Sequence, residues 1–326
     1  MRVLVTGAGS LLARRAAEAL LARGDEVVCL QRHHAAIDTE QVLVDVRDVE
    51  AVTAAAAGCD AIIHAAAKVG VVGPWEEYRS INVDGTDAVL AASARHGIGK
   101  LVHVSTPSVA HAGDSIVGGG ADAPVTGRRG AWYPESKAIA EQHAIAAASS
   151  TLGVVAIRPH LVWGPGDTQL VGRIVDRARA GRLALVGNGA ALIDTTYIDC
   201  AAEALVAAVD AVDPQAPCSG RAYVIANGEP RPIRELVLGI CAAAGVDLQP
   251  REVPRRLALL AGGAVERVWR LTRARTEPPL TRFLAEQLGT AHWFDPRPAR
   301  DDLGWRPTVT IDQGLAALAA WYATGN

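Results

Sequence analysis

Apolar residues in the first half of the chain come in short, nearly unbroken runs: "RVLVT" (2–6), "EVVCLQ" (26–31), "QVLVDV" (41–46), "AIIHAA" (61–66), "LVHVST" (101–106) and "VVAIRP" (154–159). A strand with one wet face alternates apolar and polar residues, whereas a strand buried on both faces is apolar throughout. These runs are of the second kind. Between them lie alanine- and leucine-rich stretches with helical spacing, at 10–23, 48–57, 76–97 and 134–152. Strand and helix in alternation predict an α/β fold, a doubly wound parallel Rossmann sheet with helices on both faces.

The pattern loosens after Pro159. "VWGPGD" (162–167) and "GNG" (187–189) are loop signals, and "RAYVIA" (221–226) returns to a strand. Beyond 227, helical segments are separated by proline and glycine. The expected organisation is a dinucleotide-binding domain over 1–160, with 190–226 returning to its sheet. A smaller, mainly helical substrate cap is expected from 161–189 and 227–326. It should cover the sheet's C-terminal edge, where open α/β sheets bind ligands.

Composition adds exclusions. A net charge of −3 gives no reason to expect nucleic acid. Five dispersed cysteines without a C-x-x-C pair predict no disulfide frame, no metal site and a reducing cytoplasmic location. No secretory leader and no transmembrane run is expected.

The candidate chemistry begins at "TGAGSLLA" (6–13), a turn between the first strand and the first helix. A helix N-terminus offers unpaired N–H groups and positive dipole to a phosphate. Gly7 suits the tight turn, and Gly9, Ser10, Leu11 and Leu12 are expected along a dinucleotide pyrophosphate. Two glycines common in such turns are absent. Ser10 is expected to keep its N–H available and to cap the helix, and Ala13 to allow close packing. NAD sites usually carry Asp or Glu at the end of the second strand. Here "CLQRHH" places Gln31 and Arg32 there, and Arg32 can pair with a 2′-phosphate, so NADP(H) is expected. Asp45 and Val46 are expected at the adenine edge, and Ala65, Ala66 and Ala67 beside the cofactor.

"YPESK" sets Tyr133 and Lys137 at i and i+4, one turn apart on a helix face. A neighbouring ammonium is expected to lower the tyrosine's pKa and fit it for acid-base work. "VSTPSV" (104–109) supplies a strand-end hydroxyl for a carbonyl, Thr106 first and Ser105 second. Together with the turn at Gly7, these residues describe a carbonyl reductase.

In these segments, and in "NVDGT" (82–86), "RPHLVWGPGD" (158–167), "DTTYID" (194–199) and "EPPLTRF" (277–283), the chain resembles the extended short-chain dehydrogenases/reductases. It is similar in particular to the 3β-hydroxysteroid dehydrogenase group and its branch of NADPH-dependent 2-alkyl-3-oxoalkanoate reductases of bacterial olefin and β-lactone pathways. The resemblance implies Thr106, Tyr133 and Lys137 as the catalytic triad, Asn82 in support, and Pro159, His160 and Leu161 against the nicotinamide. It also implies Lys137 on the ribose and a homodimer through the alanine-rich helix near 134–150. Cys200 stands where the family usually has Asn, and the loop 110–131 is poor in acidic residues.

A β-keto acid with long alkyl arms is the substrate so implied. Its carboxylate needs a cation, Lys68 or His160, and Ser108 and Trp163 complete the substrate-side candidates. The stripe Leu257, Leu260, Ala261, Ala264, Val265, Val268 and Trp269 within 254–273 has helical spacing and arginine flanks. It is expected to pack on the cap's own core, to line the acyl site or to rest on a membrane or a pathway partner. The alternatives are a 3β-hydroxysteroid or sterol dehydrogenase, a sugar-nucleotide epimerase or dehydratase, and a non-catalytic NADP-sensing regulator.

Overall fold

Seven parallel strands form the central sheet of the computed structural model, which describes all residues except 71, 111–112, 128–130, 273–277, 279 and 326. They are β1 (Arg2–Thr6), β2 (Glu26–Gln31), β3 (Glu40–Leu43), β4 (Ala61–His64), β5 (Lys100–Val104), β6 (Gly153–Pro159) and β7 (Arg221–Ile225). Their order is β7-β6-β5-β4-β1-β2-β3, so the chain reverses direction between β1 and β4. That reversal opens the crevice in which doubly wound sheets hold ligands.

The continuous apolar runs have their cause in the packing. One face of the sheet is covered by α1 (Leu11–Ala22) and by a later helix, Ile198–Ala211, through alanines and leucines such as Ala13, Ala17, Leu20 and Leu205. The other face is covered by α2 (Val49–Ala55), α3 (Gly85–His96) and α4 (Trp132–Ala146), through residues including Val52, Val89 and Ala144. Small side chains let these helices lie close, and Ala13, in place of a glycine, is fully buried.

The cap contains α5 (Val171–Arg179); the helix Ile198–Ala211, α6, belongs to the sheet domain. Further cap helices are α7 (Ile233–Ala243), α8 (Arg255–Thr272) and α9 (Arg282–Leu288), and α10 (Arg297–Leu303) and α11 (Ile311–Ala323) follow. Three details depart from the sequence reading. Ile116–Gly119, from the first half, joins a small cap sheet beside His292–Phe294. Leu303, Ile311 and Leu318, expected in the cap, belong instead to the core beneath the main sheet. The expected helix 76–97 is interrupted by π-helical turns over Arg79–Asp84, centred on Asn82; such turns often mark functional sites.

α8 also differs from one expectation. Leu257, Leu260 and Val268 are exposed, Ala258 is buried, and none of them lines a described cavity. Leu257, Leu260 and Val268 thus line neither of the two cavities described below. Glu277 and Pro279 of the "EPPLTRF" segment, and Arg273, lie outside the described residues.

Candidate active site

A cavity of about 530 Å³ lies at the C-terminal ends of β1, β2 and β4. Gly7, Gly9, Ser10, Gln31, Arg32, Asp45, Val46, Ala65, Ala66 and Ala67 line it. Gly7 is fixed twice over. Its φ is +77°, and a Cβ there would stand 2.7 Å from the backbone of Ala66. A Cβ at Gly9 would meet nothing within 4 Å. The Ser10 hydroxyl caps α1, accepting from the Ala13 N–H at 3.4 Å. Its own N–H, expected to face a phosphate, instead donates to Gly7 O at 2.9 Å. Leu11 and Leu12 turn their side chains to the core, so only their first-turn N–H groups belong to the ligand side.

The cavity fits a dinucleotide. Gln31 is buried and donates to Gln41 Oε1 at 2.7 Å, while its own Oε1 is buried without a partner. An orphaned acceptor of this kind suits a ribose hydroxyl. Arg32 is exposed at the cavity wall beside His33 and His34. Asp45 is held bidentately by Arg47, 2.8 Å on each oxygen, which keeps its carboxyl down at about 2 and ionised.

The catalytic candidates come from two elements. β5 delivers Thr106, which caps the short 3-10 turn Pro107–Val109 and lies 3.1 Å from the Ser108 hydroxyl. α4 delivers Tyr133 and Lys137. Burial pushes the Tyr133 phenol up to about 12, and its hydrogen bond with Thr106 pulls the other way. This reverses the expectation of a lowered pKa. The site is dry, and the Lys137 ammonium is turned to Val104 O at 2.6 Å and to His103 Nε2 at 3.4 Å. Tyr133 is therefore a phenol at neutral pH, the form that donates a proton. Burial also pulls Lys137 down to about 8.

A polar network beneath the site was not anticipated. Ala66 N–H donates to Thr6 Oγ1 at 3.2 Å, and Thr6 Oγ1 lies 2.8 Å from His64 Nδ1. His64 Nε2 lies 3.1 Å from Thr86 Oγ1, which donates to Asn82 O at 2.7 Å. Since the Thr86 proton is used there, His64 must donate from Nε2 and accept at Nδ1. Asn82 accepts from Lys68 N–H at 2.6 Å and donates to Lys68 O at 3.0 Å and to Ser136 Oγ at 2.8 Å. Ser136 in turn donates to Tyr133 O at 3.0 Å. The cofactor floor and the catalytic helix are thus hydrogen-bonded through His64 and Asn82. The sequence signal was the histidine opening "HAAA", read only for its small neighbours.

Behind α4, Arg158 on β6 and Glu141 form a buried bidentate pair at 2.5 and 2.9 Å, and Arg158 also donates to Asp122 O at 2.8 Å. The pair ties the loop before α4 to the sheet. Removing one partner of a buried pair leaves an uncompensated charge, so Glu141→Ala should destabilise the fold by about 3–5 kcal/mol. Denaturant unfolding followed by circular dichroism measures this.

A second cavity, of about 320 Å³, opens on Thr106, Ser108 and Tyr133. Pro159, His160 and Leu161 line this one and not the first. Leu161 is held at φ +43°, a left-handed conformation a bulky residue seldom adopts. The walls are aliphatic: Leu170, Ile174, Leu185, Ile233 and Leu236 from the cap, with Phe294. Arg173, Arg177, His160 and His292 are its basic groups. His160 places Nδ1 2.5 Å from Asp194 O. Two expectations need correction. Trp163 is fully buried in the core, donating to Thr195 Oγ1 at 2.9 Å and meeting the Tyr197 ring edge-on, and lines neither of the two cavities. Lys68 lines the dinucleotide cavity, paired with Glu77 at 3.1 Å and lying over the Tyr78 ring.

Comparison with known proteins agrees with this geometry. Residues 4–255 match the model of the 3-beta hydroxysteroid dehydrogenase/isomerase family. The chain is 48% identical to a Stenotrophomonas maltophilia protein named 2-alkyl-3-oxoalkanoate reductase, over 98% of this chain and 99% of that one. A Shewanella oneidensis protein of the same name is 39% identical, over 97% and 85%. A Mycolicibacterium neoaurum 3-beta-hydroxysteroid dehydrogenase is 30% identical, over 98% and 91%. Among solved structures, a dTDP-glucose 4,6-dehydratase from Streptomyces venezuelae with NAD bound superposes with a TM-score of 0.74 at 24% identity, covering 99% of this chain and 97% of that one, and shares the fold.

Proposed function

The chain belongs to the 3-beta hydroxysteroid dehydrogenase/isomerase family of extended short-chain dehydrogenases/reductases and is an oxidoreductase; on that premise we propose that it reduces the ketone of a 2-alkyl-3-oxoalkanoic acid to the 3-hydroxy acid with NADPH. The observation that carries this reading is the aliphatic cavity meeting the Thr106 and Tyr133 hydroxyls at one end. Long alkyl arms gain by leaving water for such walls, at roughly 0.8 kcal/mol per buried methylene. The identity to the two reductases over nearly their whole lengths favours a keto acid over the second reading, a steroid, which the walls also suit.

The nicotinamide supplies the hydride when bound. Thr106 holds the ketone oxygen, and the Tyr133 phenol gives it a proton as charge develops there. Lys137 holds the ribose, its ammonium fixed from behind by Val104 O and His103 Nε2. Of the two carboxylate candidates, only His160 lines this cavity, and Arg173 and Arg177 add positive charge to it. The aliphatic walls exclude water, which strengthens each of these interactions.

The active ammonium of Lys137 implies a pH dependence. Its pKa of about 8 means that the protonated form is complete below pH 7 and lost as pH rises through 8. Reduction should therefore be flat in kcat/KM on the acid side and fall on the alkaline side near pH 8, measured from pH 6 to 10. NADPH preference rests on Arg32. Arg32→Ser should raise the NADPH dissociation constant about 10–100-fold, the worth of a charge-assisted contact. It should leave NADH within a few-fold, and cofactor fluorescence titration tests both.

We further propose a cytoplasmic homodimer paired through α4. No described helix is long and apolar enough to cross a membrane. Light scattering of the purified protein gives the oligomeric state, and one protomer's mass would overturn the dimer.

A further inference from the structure

We propose that His103 is a positioning residue for the catalytic lysine. Its neutral imidazole offers Nε2 as a fixed acceptor that orients the Lys137 ammonium and keeps it protonated. This rests on the reading of Lys137 given above and adds a residue to it.

The geometry comes from three elements. His103 lies on β5, three residues before Thr106, and is fully buried. Lys137, on α4, is 2% exposed, and its Nζ reaches Val104 O at 2.6 Å and His103 Nε2 at 3.4 Å. An ammonium only donates, so Nε2 must carry the lone pair and Nδ1 the proton. His103 Nδ1 is buried and has no partner among the described residues. A buried donor left unsatisfied works against folding, so nothing in the ring's own hydrogen bonding accounts for a histidine here. Among the described residues the ring's polar contact is to the lysine.

The surroundings keep the imidazole neutral. The His64 ring on β4 lies 5.5 Å from it, centroid to centroid. His64 is fixed as the Nε2–H tautomer by Thr6 and Thr86 and is itself pushed down to about 3. Burial and Lys137 hold His103 well below the ordinary histidine value. The other titratable groups nearby in these elements are Tyr133, Glu135 and Glu141 on its own helix and Arg158 on β6. Glu141 favours the ammonium but is itself engaged by Arg158. Val104 O and His103 Nε2 are thus the acceptors in direct contact with Nζ among the described residues. Removing Nε2 leaves the ammonium one acceptor poorer in a dry site. It should then lose its proton at lower pH and hold the ribose less firmly.

The test compares wild type with His103→Leu, His103→Gln and His103→Asn. Gln sets its amide near the place of Nε2, whereas Asn sets it near that of Nδ1. The readouts are the alkaline limb of kcat/KM for keto acid reduction and the NADPH dissociation constant. The expected result is that Leu and Asn move the limb down by about one pH unit and weaken NADPH about tenfold, while Gln restores both. If Leu is not recovered folded, the contrast of Gln with Asn decides alone. A limb that stays in place in all variants overturns the proposal, as does an equal loss of kcat at every pH, which marks a merely structural residue. Wild type that reduces no keto acid would instead overturn the reductase reading, so the two failures are distinguishable.

Discussion

Tyr133→Phe should lower kcat for ketone reduction by about 10³-fold, within the range a positioned general acid contributes. The ring stays, and with it the packing beside Thr106; only the proton donor goes. The phenol belongs to the catalytic step, so NADPH binding should change by less than twofold. Because burial pushes Tyr133 up to about 12, the phenol is protonated across the working pH range. Its loss should therefore lower the whole pH profile without reshaping it. Single-turnover measurements with saturating NADPH separate this from slow product release. Thr106→Val should cost less, about 10–100-fold, since one hydrogen bond to the developing charge is lost while the proton donor remains.

Gly7→Ala should raise the NADPH dissociation constant by about 100-fold or more and lower stability as well. Two effects add. An alanine at φ +77° costs roughly 1–2 kcal/mol of backbone strain. The new Cβ must also displace the Ala66 backbone, now 2.7 Å from where it would sit. Ala66 forms the cofactor floor and donates to Thr6, so moving it disturbs the chain through His64 to Asn82. Ser10→Gly should change NADPH affinity by less than threefold, because glycine in place of an N-cap serine costs only a few tenths of a kcal/mol. Titration with thermal melts on the same samples distinguishes lost affinity from lost fold. Equal effects at Gly7 and Ser10 would contradict the geometry of the turn.

The sequence carried the sheet because buried parallel strands leave an unmistakable trace. β1 and β2 have the expected ends. β3 stops at Leu43 because Val44 to Val46 turn to line the dinucleotide cavity. The helix over 76–97 could not be read as broken, since nothing local in "RSINVD" marks a π turn. Its cause is remote, the hydrogen bonds of Asn82 with Lys68 and Ser136. The sequence placed Tyr133 and Lys137 one turn apart on a helix and Thr106 just past a strand end, and α4 and β5 hold them so. His103, Glu141 and Arg158 were not legible, because each gains its partner from a different element. Trp163 misled for the opposite reason. It stands within a motif that lines the site elsewhere, yet its indole is directed to Thr195 and the core.

The direction of the Tyr133 shift shows why such patterns fall short of electrostatics. An i, i+4 lysine lowers a phenol's pKa only if its charge reaches the ring and water does not compensate. Here burial raises the phenol and outweighs the hydrogen bond with Thr106, while the ammonium is turned to Val104 O and His103 Nε2. The burial that surrounds the Tyr133 hydroxyl therefore keeps its proton in place at neutral pH.

The most direct test is NADPH oxidation by the purified protein with a long-chain 2-alkyl-3-oxo acid, run beside a 3β-hydroxysteroid with NAD⁺ and NADP⁺. The account predicts rapid, NADPH-dependent reduction of the keto acid, identified by its 3-hydroxy acid product, and little turnover of the steroid. Steroid oxidation with an inert keto acid would contradict it.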